Sequence, residues 1–247
     1  ATIMHKNKPD WTKLITPEMA EVVAHIRQWN EEHPATSNYL QDYMDERVFW
    51  NDGGPVPAKV IEVEIEGPYG KIPCRLHYPR ISDQPMGMML YAHGGSLYLG
   101  NNDTHSRIMR TLTEKSDTVV IGVDYHLAPQ NRFPKWIEEC VVATKYFRAH
   151  AAEYGLDAND VSFAGDSAGA WLSMATMLWL RDEDPDISYV TSLLLYYGFY
   201  GMYDSPTQRL YGNEIDGMMR EYDEKLYPAS IVDEEDVKSP HCDLLYN

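Results

Sequence analysis

Val161-Ser162-Phe163-Ala164-Gly165-Asp166-Ser167-Ala168-Gly169-Ala170-Trp171-Leu172 is the stretch in which the sequence commits to a fold. Its first four residues form a short apolar run, the pattern of a strand buried on both faces. From Ser167 to Leu180 the pattern changes to a helix, with Trp171, Met174, Ala175 and Leu178 at core spacing. Between the two lies G-x-S-x-G, a strand-to-helix turn so sharp that small residues must flank it. Such a turn presents the Ser167 hydroxyl at the carboxyl end of a sheet, beside the positive end of the helix dipole. That makes Ser167 the candidate nucleophile. Ala168 opens the helix with an N–H available to an oxyanion, and Asp166 is read as a hydrogen-bond acceptor that supports the turn.

A second stretch agrees with the first in order and context. Met88-Met89-Leu90-Tyr91-Ala92 is another buried run, and His93-Gly94-Gly95-Ser96 follows it directly. Acyl transfer builds negative charge on a carbonyl oxygen, and backbone N–H groups fixed by glycines stabilise that charge by about 3 kcal/mol per donor. Gly94, Gly95 and Ser96 therefore join Ala168 as the expected oxyanion residues, with Gly95 and Ser96 the preferred donors and Gly94 supplying the turn. His93 is expected to be structural, its imidazole tying the loop to neighbouring backbone.

Outward from these motifs, Val119–Val123 and Leu193–Tyr197 are further buried runs. Helical segments over about Thr104–Ser116 and Pro134–His150 separate them, and strand alternating with helix predicts a parallel sheet wrapped by helices. Lys59–Glu66 alternates apolar and charged residues strictly and turns at Gly67-Pro68-Tyr69-Gly70 into a hairpin partner, Lys71–Tyr78. Asp10–Trp50 reads as two helices, with Thr16-Pro17-Glu18 a helix start and Met19, Val22, Val23 and Ile26 on one face.

With 247 residues, one core domain with decorations is expected. Hydrophobic residues make up 44% of the chain, but no uncharged apolar stretch is long enough for a membrane span. A net charge of −17 would repel phosphate backbones, which argues against a nucleic-acid partner. Cys74, Cys140 and Cys242 stand far apart, as expected of thiols kept reduced in a cytoplasm, and Lys6 and Lys8 lack the apolar run of a secretory signal. Neither HExxH nor any comparable His/carboxylate spacing occurs, so no catalytic metal is expected.

Taken in order, YAHGGSLYLGNNDTHSRIMR, GVDYHLAPQNRFPKWIEEC and FAGDSAGAWLSMATMLWLRD resemble the hormone-sensitive-lipase-type carboxylesterases over nearly the whole chain, the bacterial acetyl esterases in particular. The resemblance implies an α/β-hydrolase with a mostly parallel central sheet flanked by helices and a helical cap. On that basis residues 1–54 would be a cap arm, 55–200 the core, 201–235 a second cap segment and 236–247 the start of the remaining core. It also implies hydrolysis of small, short-acyl esters through Ser167 without a cofactor, a small-molecule ester as the partner, and leaves homo-oligomerisation open. Asp124-Tyr125 and Leu127-Ala128-Pro129 would shape the floor of the site, and Trp50, Tyr98, Tyr200 and Tyr203 could shorten an acyl pocket.

There are two departures from the family pattern. Ser96 replaces the third glycine of an HGGG loop, which keeps the N–H provided the position does not require positive φ. The D-x-L-x-D-like and H-x-F-like segments that carry the family's triad acid and base are not found, and both residues are expected beyond Asn247. His241, the one histidine after Ser167, matches a non-catalytic position. A non-hydrolytic ligand-binding protein on the same fold is the alternative that Ser96 and the missing base keep open.

Overall fold

The computed structural model describes residues 9–202, 206–212 and 231–245. Helices α1 (Pro17–Glu32) and α2 (Tyr39–Asn51) precede a hairpin of β1 (Lys59–Ile65) and β2 (Ile72–Tyr78). The chain then runs β3 (Met86–Ala92), α3 (Ser106–Ser116), β4 (Val119–Val123), α4 (Lys135–Ala149), α5 (Ala151–Tyr154), β5 (Leu156–Asp166), α6 (Ala168–Glu183), β6 (Val190–Tyr196) and α7 (Pro206–Tyr211). The six strands lie in the order β1-β2-β4-β3-β5-β6, with β1, β2 and β4 antiparallel neighbours and the remaining pairs parallel. The α/β fold and the mostly parallel sheet are as expected.

Alternation along the strands explains how the sheet holds two cores. Met88, Leu90 and Ala92 of β3, with Val119, Ile121 and Val123 of β4, point into the larger one, shared with Trp136 and Ile137 of α4 and Trp171 and Leu172 of α6. Met89, Tyr91 and Val120 point the other way, onto Met109 and Leu112 of α3. The chain passes from β3 to β4 by way of α3, then crosses back over to β5, so the carboxyl ends of β3, β4 and β5 open on one rim where the order reverses. Loops at such a rim are where open α/β sheets place their ligands.

One expectation needs correction. β6 is not buried on both faces: Leu193 is 36% exposed, because β6 is an edge strand among the described residues. The predicted apolar face of α1 is partly covered, with Val23 buried, Val22 and Ile26 half-buried and Met19 40% exposed. α2 is joined to the core through polar bonds instead. Asn51 Nδ2 donates to Thr104 O and its Oδ1 accepts from Arg107 N, while the Arg110 guanidinium donates to the carbonyls of Asn51, Gly53 and Pro55. No helix of the described residues is long and apolar enough to cross a membrane.

Candidate active site

Ser167 stands between β5 and α6 at φ 53° and ψ −120°, a backbone conformation that costs a non-glycine residue about 1–3 kcal/mol. The surroundings impose it. Ser167 N donates to Tyr196 O at 2.9 Å, and the carbonyl of Ser167 already accepts from Ala170 and Trp171 as the helix begins. Gly169 permits the tight approach of helix to strand, since a Cβ there would lie 1.9 Å from Ala92 O. As the first residue of α6, Ala168 has an N–H that no intrahelical carbonyl can accept.

The loop after β3 folds as a left-handed turn. Gly95 has φ 117°, Ser96 φ 55° and Leu97 φ 67°, and the N–H groups of Tyr98 and Leu99 both close on Gly95 O. Ser96 therefore does occupy a position of positive φ, and a serine fills it. Gly95 could not carry a side chain, because a Cβ would meet Leu99 O at 2.1 Å. Among the described residues neither Gly95 N nor Ser96 N donates to a protein acceptor, which leaves both amides available. Gly94, expected to supply the turn, uses its own amide in the fold: its N–H donates to Asp166 Oδ1 at 3.0 Å.

Asp166 is the hub of a buried network. Oδ1 accepts from Tyr91 Oη at 2.6 Å as well as from Gly94 N, and Oδ2 lies 3.2 Å from His105 Nε2. Burial pushes this carboxyl up, but the donors from His105, Tyr91 and Gly94 outweigh it and hold it down at about 2. His93 is buried, with Nδ1 against Gly94 O at 2.8 Å and its ring stacked on Tyr125, whose hydroxyl donates to His93 O at 2.6 Å. Burial, with His105 nearby, lowers it to about 4, so the ring is neutral and ties loop to backbone.

Beyond β4, Ala128 N donates to Leu97 O at 2.8 Å and ties down the glycine loop after β3. His126 pairs with Glu139, a fully buried carboxylate of α4. Burial raises Asp124 to about 7, and its Oδ1 is buried without a partner. His241 Nε2 meets Asp182 Oδ2 at 2.8 Å near the far end of α6. At about 1.5 Å of rise per residue, Asp182 lies roughly 22 Å along the helix from Ser167, so His241 is not positioned as its base. Trp50 bonds to Glu46 of its own helix and lines a cavity of about 280 Å³ with Arg47, His105, Asp166 and Tyr197. Tyr203 and most of the expected second cap segment lie outside the described residues. The described residues hold no group of three or more His, Cys, Asp or Glu able to take a metal.

His105, Tyr91 and Thr104 were not singled out from the sequence. The one signal available was a histidine in Thr104-His105 at a helix start, which spacing alone does not connect to a residue 61 positions later.

A family profile described as alpha/beta hydrolase fold matches residues 89–247. Over 207 residues the chain is 43% identical to an acetyl esterase of Salmonella typhi and 44% identical to one of Salmonella paratyphi B, in each case covering 84% of this chain and 63% of the relative. The chain thus spans just under two thirds of the length of these curated relatives. Among solved structures, the thermophilic carboxylesterase EstE1 from a metagenomic library is 30% identical with a TM-score of 0.63, over 68% of this chain and 57% of that one. A hyperthermophilic esterase from the archaeon Pyrobaculum calidifontis shares the fold with a TM-score of 0.77, over 94% of this chain and 75% of that one, at 23% identity. The profile begins inside β3 and takes in both the serine turn and the loop that faces it: the chain belongs to the alpha/beta hydrolase fold family.

Proposed function

We propose that this chain is the nucleophile-bearing part of a serine carboxylesterase for small esters with short, acetyl-like acyl groups. The observation that carries the reading is the backbone of Ser167, held at positive φ at the head of α6, together with the amides of Gly95, Ser96 and Ala168, which no protein acceptor takes among the described residues. Strain of that kind is maintained only where the surrounding structure over-determines it, and exposing a serine hydroxyl to a substrate carbonyl is a use that accounts for it. Ser167 Oγ attacks the ester carbonyl while a histidine general base takes its proton, and the amides hold the tetrahedral oxyanion; its collapse breaks the ester C–O bond, the histidine returns the proton to the departing alcohol, and water then hydrolyses the acyl-serine to release the acid. Among the described residues His105, His126 and His241 are engaged with Asp166, Glu139 and Asp182, so none of these three is assigned as the base.

Similarity to acetyl esterases supports the acyl preference and does not favour a non-hydrolytic binder. The free, buried Cys74, Cys140 and Cys242 support a cytoplasmic location. Residues 1–54 and 201–235 are assigned to the cap, and 236–247 to the start of the remaining core. The direct test is Ser167→Ala in the complete protein. Loss of p-nitrophenyl acetate hydrolysis with an unchanged circular dichroism spectrum is expected, whereas cleavage at the wild-type rate would place the nucleophile elsewhere.

A further inference from the structure

The turn that carries the nucleophile and the loop that carries the oxyanion amides belong to different strands, and a single carboxylate joins them. Asp166 immediately precedes Ser167, and its Oδ1 accepts the N–H of Gly94, which immediately precedes Gly95. How the carboxylate is oriented therefore sets the position of the amides relative to the hydroxyl. Two donors fix Oδ1, whereas Oδ2 has His105 Nε2 at 3.2 Å. An ionised carboxylate can only accept, so Nε2 carries the proton. The ring is held in turn from its other nitrogen, since Nδ1 lies 2.9 Å from Thr104 Oγ1, and that oxygen accepts Asn101 N at 2.8 Å. Both side chains of the pair are almost wholly buried, at 2% and 7% exposure.

We infer that His105 is a positioning residue which, through Asp166, keeps the oxyanion loop in register with the nucleophile turn. This rests on the esterase reading of Ser167. Without His105, Oδ2 is a buried charge lacking a donor, and the carboxylate either rotates toward other partners or takes up a proton. Both responses weaken its hold on Gly94 and displace the amides of Gly95 and Ser96 by a fraction of an ångström. The loss falls on the transition state, because the oxyanion forms only there. The other ionisable groups around Asp166 are Tyr91 from β3, His93 from the loop, Tyr125 after β4, Tyr197 after β6 and Arg47 from α2. Of these, only Tyr91 bonds to the carboxylate, and it does so on Oδ1.

The test compares His105→Leu with His105→Gln in the complete protein. The Gln side-chain amide can present an N–H close to where Nε2–H stood. In the Leu variant kcat for p-nitrophenyl acetate is expected to fall roughly 10- to 100-fold with KM changed less than about twofold. Its acidic limb moves to higher pH, since Asp166 has lost a donor to its charged form. The Gln variant recovers most of kcat and returns the limb. Amide hydrogen exchange over residues 93–100 rises in the Leu variant and stays low in the Gln variant. Wild-type kcat and pH profile in the Leu variant would overturn the inference, as would a change confined to KM. Equal losses in both variants that follow a shared fall in melting temperature would reduce His105 to packing. Failure of the wild type to hydrolyse esters or to accept a fluorophosphonate would refute the esterase reading instead, and the exchange data would still decide whether His105 holds the loop.

Discussion

Ser167 illustrates how a single residue can be the wrong choice for stability and the right one for chemistry. Its φ of 53° suits glycine, so Ser167→Gly relieves strain and should raise the melting temperature by a few degrees while abolishing turnover. An unchanged or lower melting temperature in a calorimetric scan would show that the turn is not strained. Two buried groups give opposite pH signatures. His93, lowered to about 4, is neutral in the fold and protonated when unfolded between about 4 and 6.5, so its contribution falls as pH falls through that window. Asp124 is raised to about 7, so between about 4 and 7 the unfolded chain holds fewer protons than the fold, and stability falls as pH rises. Asp124→Asn should therefore raise the melting temperature at pH 7 and leave it nearly unchanged at pH 4. Equal shifts at both pH values would mean that Asp124 is ionised throughout.

At the level of elements, the sequence was most legible where hydrophobic period and turn chemistry agreed. β4 was read residue for residue, and the hairpin, β3, α3, α4 and α6 within a few residues, because each has a clear period and bounding polar or glycine residues. β5 runs longer than its apolar run: Leu156 pairs with Met86, and residues 157–160 form an irregularity before the ladder resumes with Val161 opposite Met88. The exposure of β6, and of Met19 on α1, was not legible, because periodicity shows which face is apolar and not whether anything covers it. Polar connections of long range were hidden for the same reason: nothing local ties Arg110 to Asn51 and Gly53. That guanidinium makes three of the bonds between the helical arm and α3. Arg110→Ala should lower stability by about 2 kcal/mol and open the Gly53-Gly54 segment to limited proteolysis. Wild-type protease resistance would show that the arm is held by other contacts.

Across the whole molecule, the reading from the sequence reached the serine turn and the glycine loop because both are compact motifs whose context can be checked along the chain. It did not reach the Asp166 network that couples them, because spacing cannot show which amides the fold has already used, as Asp166 uses that of Gly94. The coupling matters for how the proposed site is built: β3 leads into the glycine loop, β5 into the serine turn, and the start of α3 supplies the histidine beside the carboxylate between them. Chemistry that rests on a serine and backbone amides needs no metal, so dialysis against EDTA should leave ester hydrolysis unchanged, and a loss restored by a divalent cation would point to a different mechanism. The central claim is that Ser167 is an activated nucleophile in the complete protein. The most direct measurement is mass-spectrometric mapping after reaction with a fluorophosphonate probe: the account predicts one adduct, on the peptide containing Ser167, formed in step with loss of esterase activity and absent in Ser167→Ala. Labelling at another residue, or full inactivation with Ser167 unmodified, would contradict it.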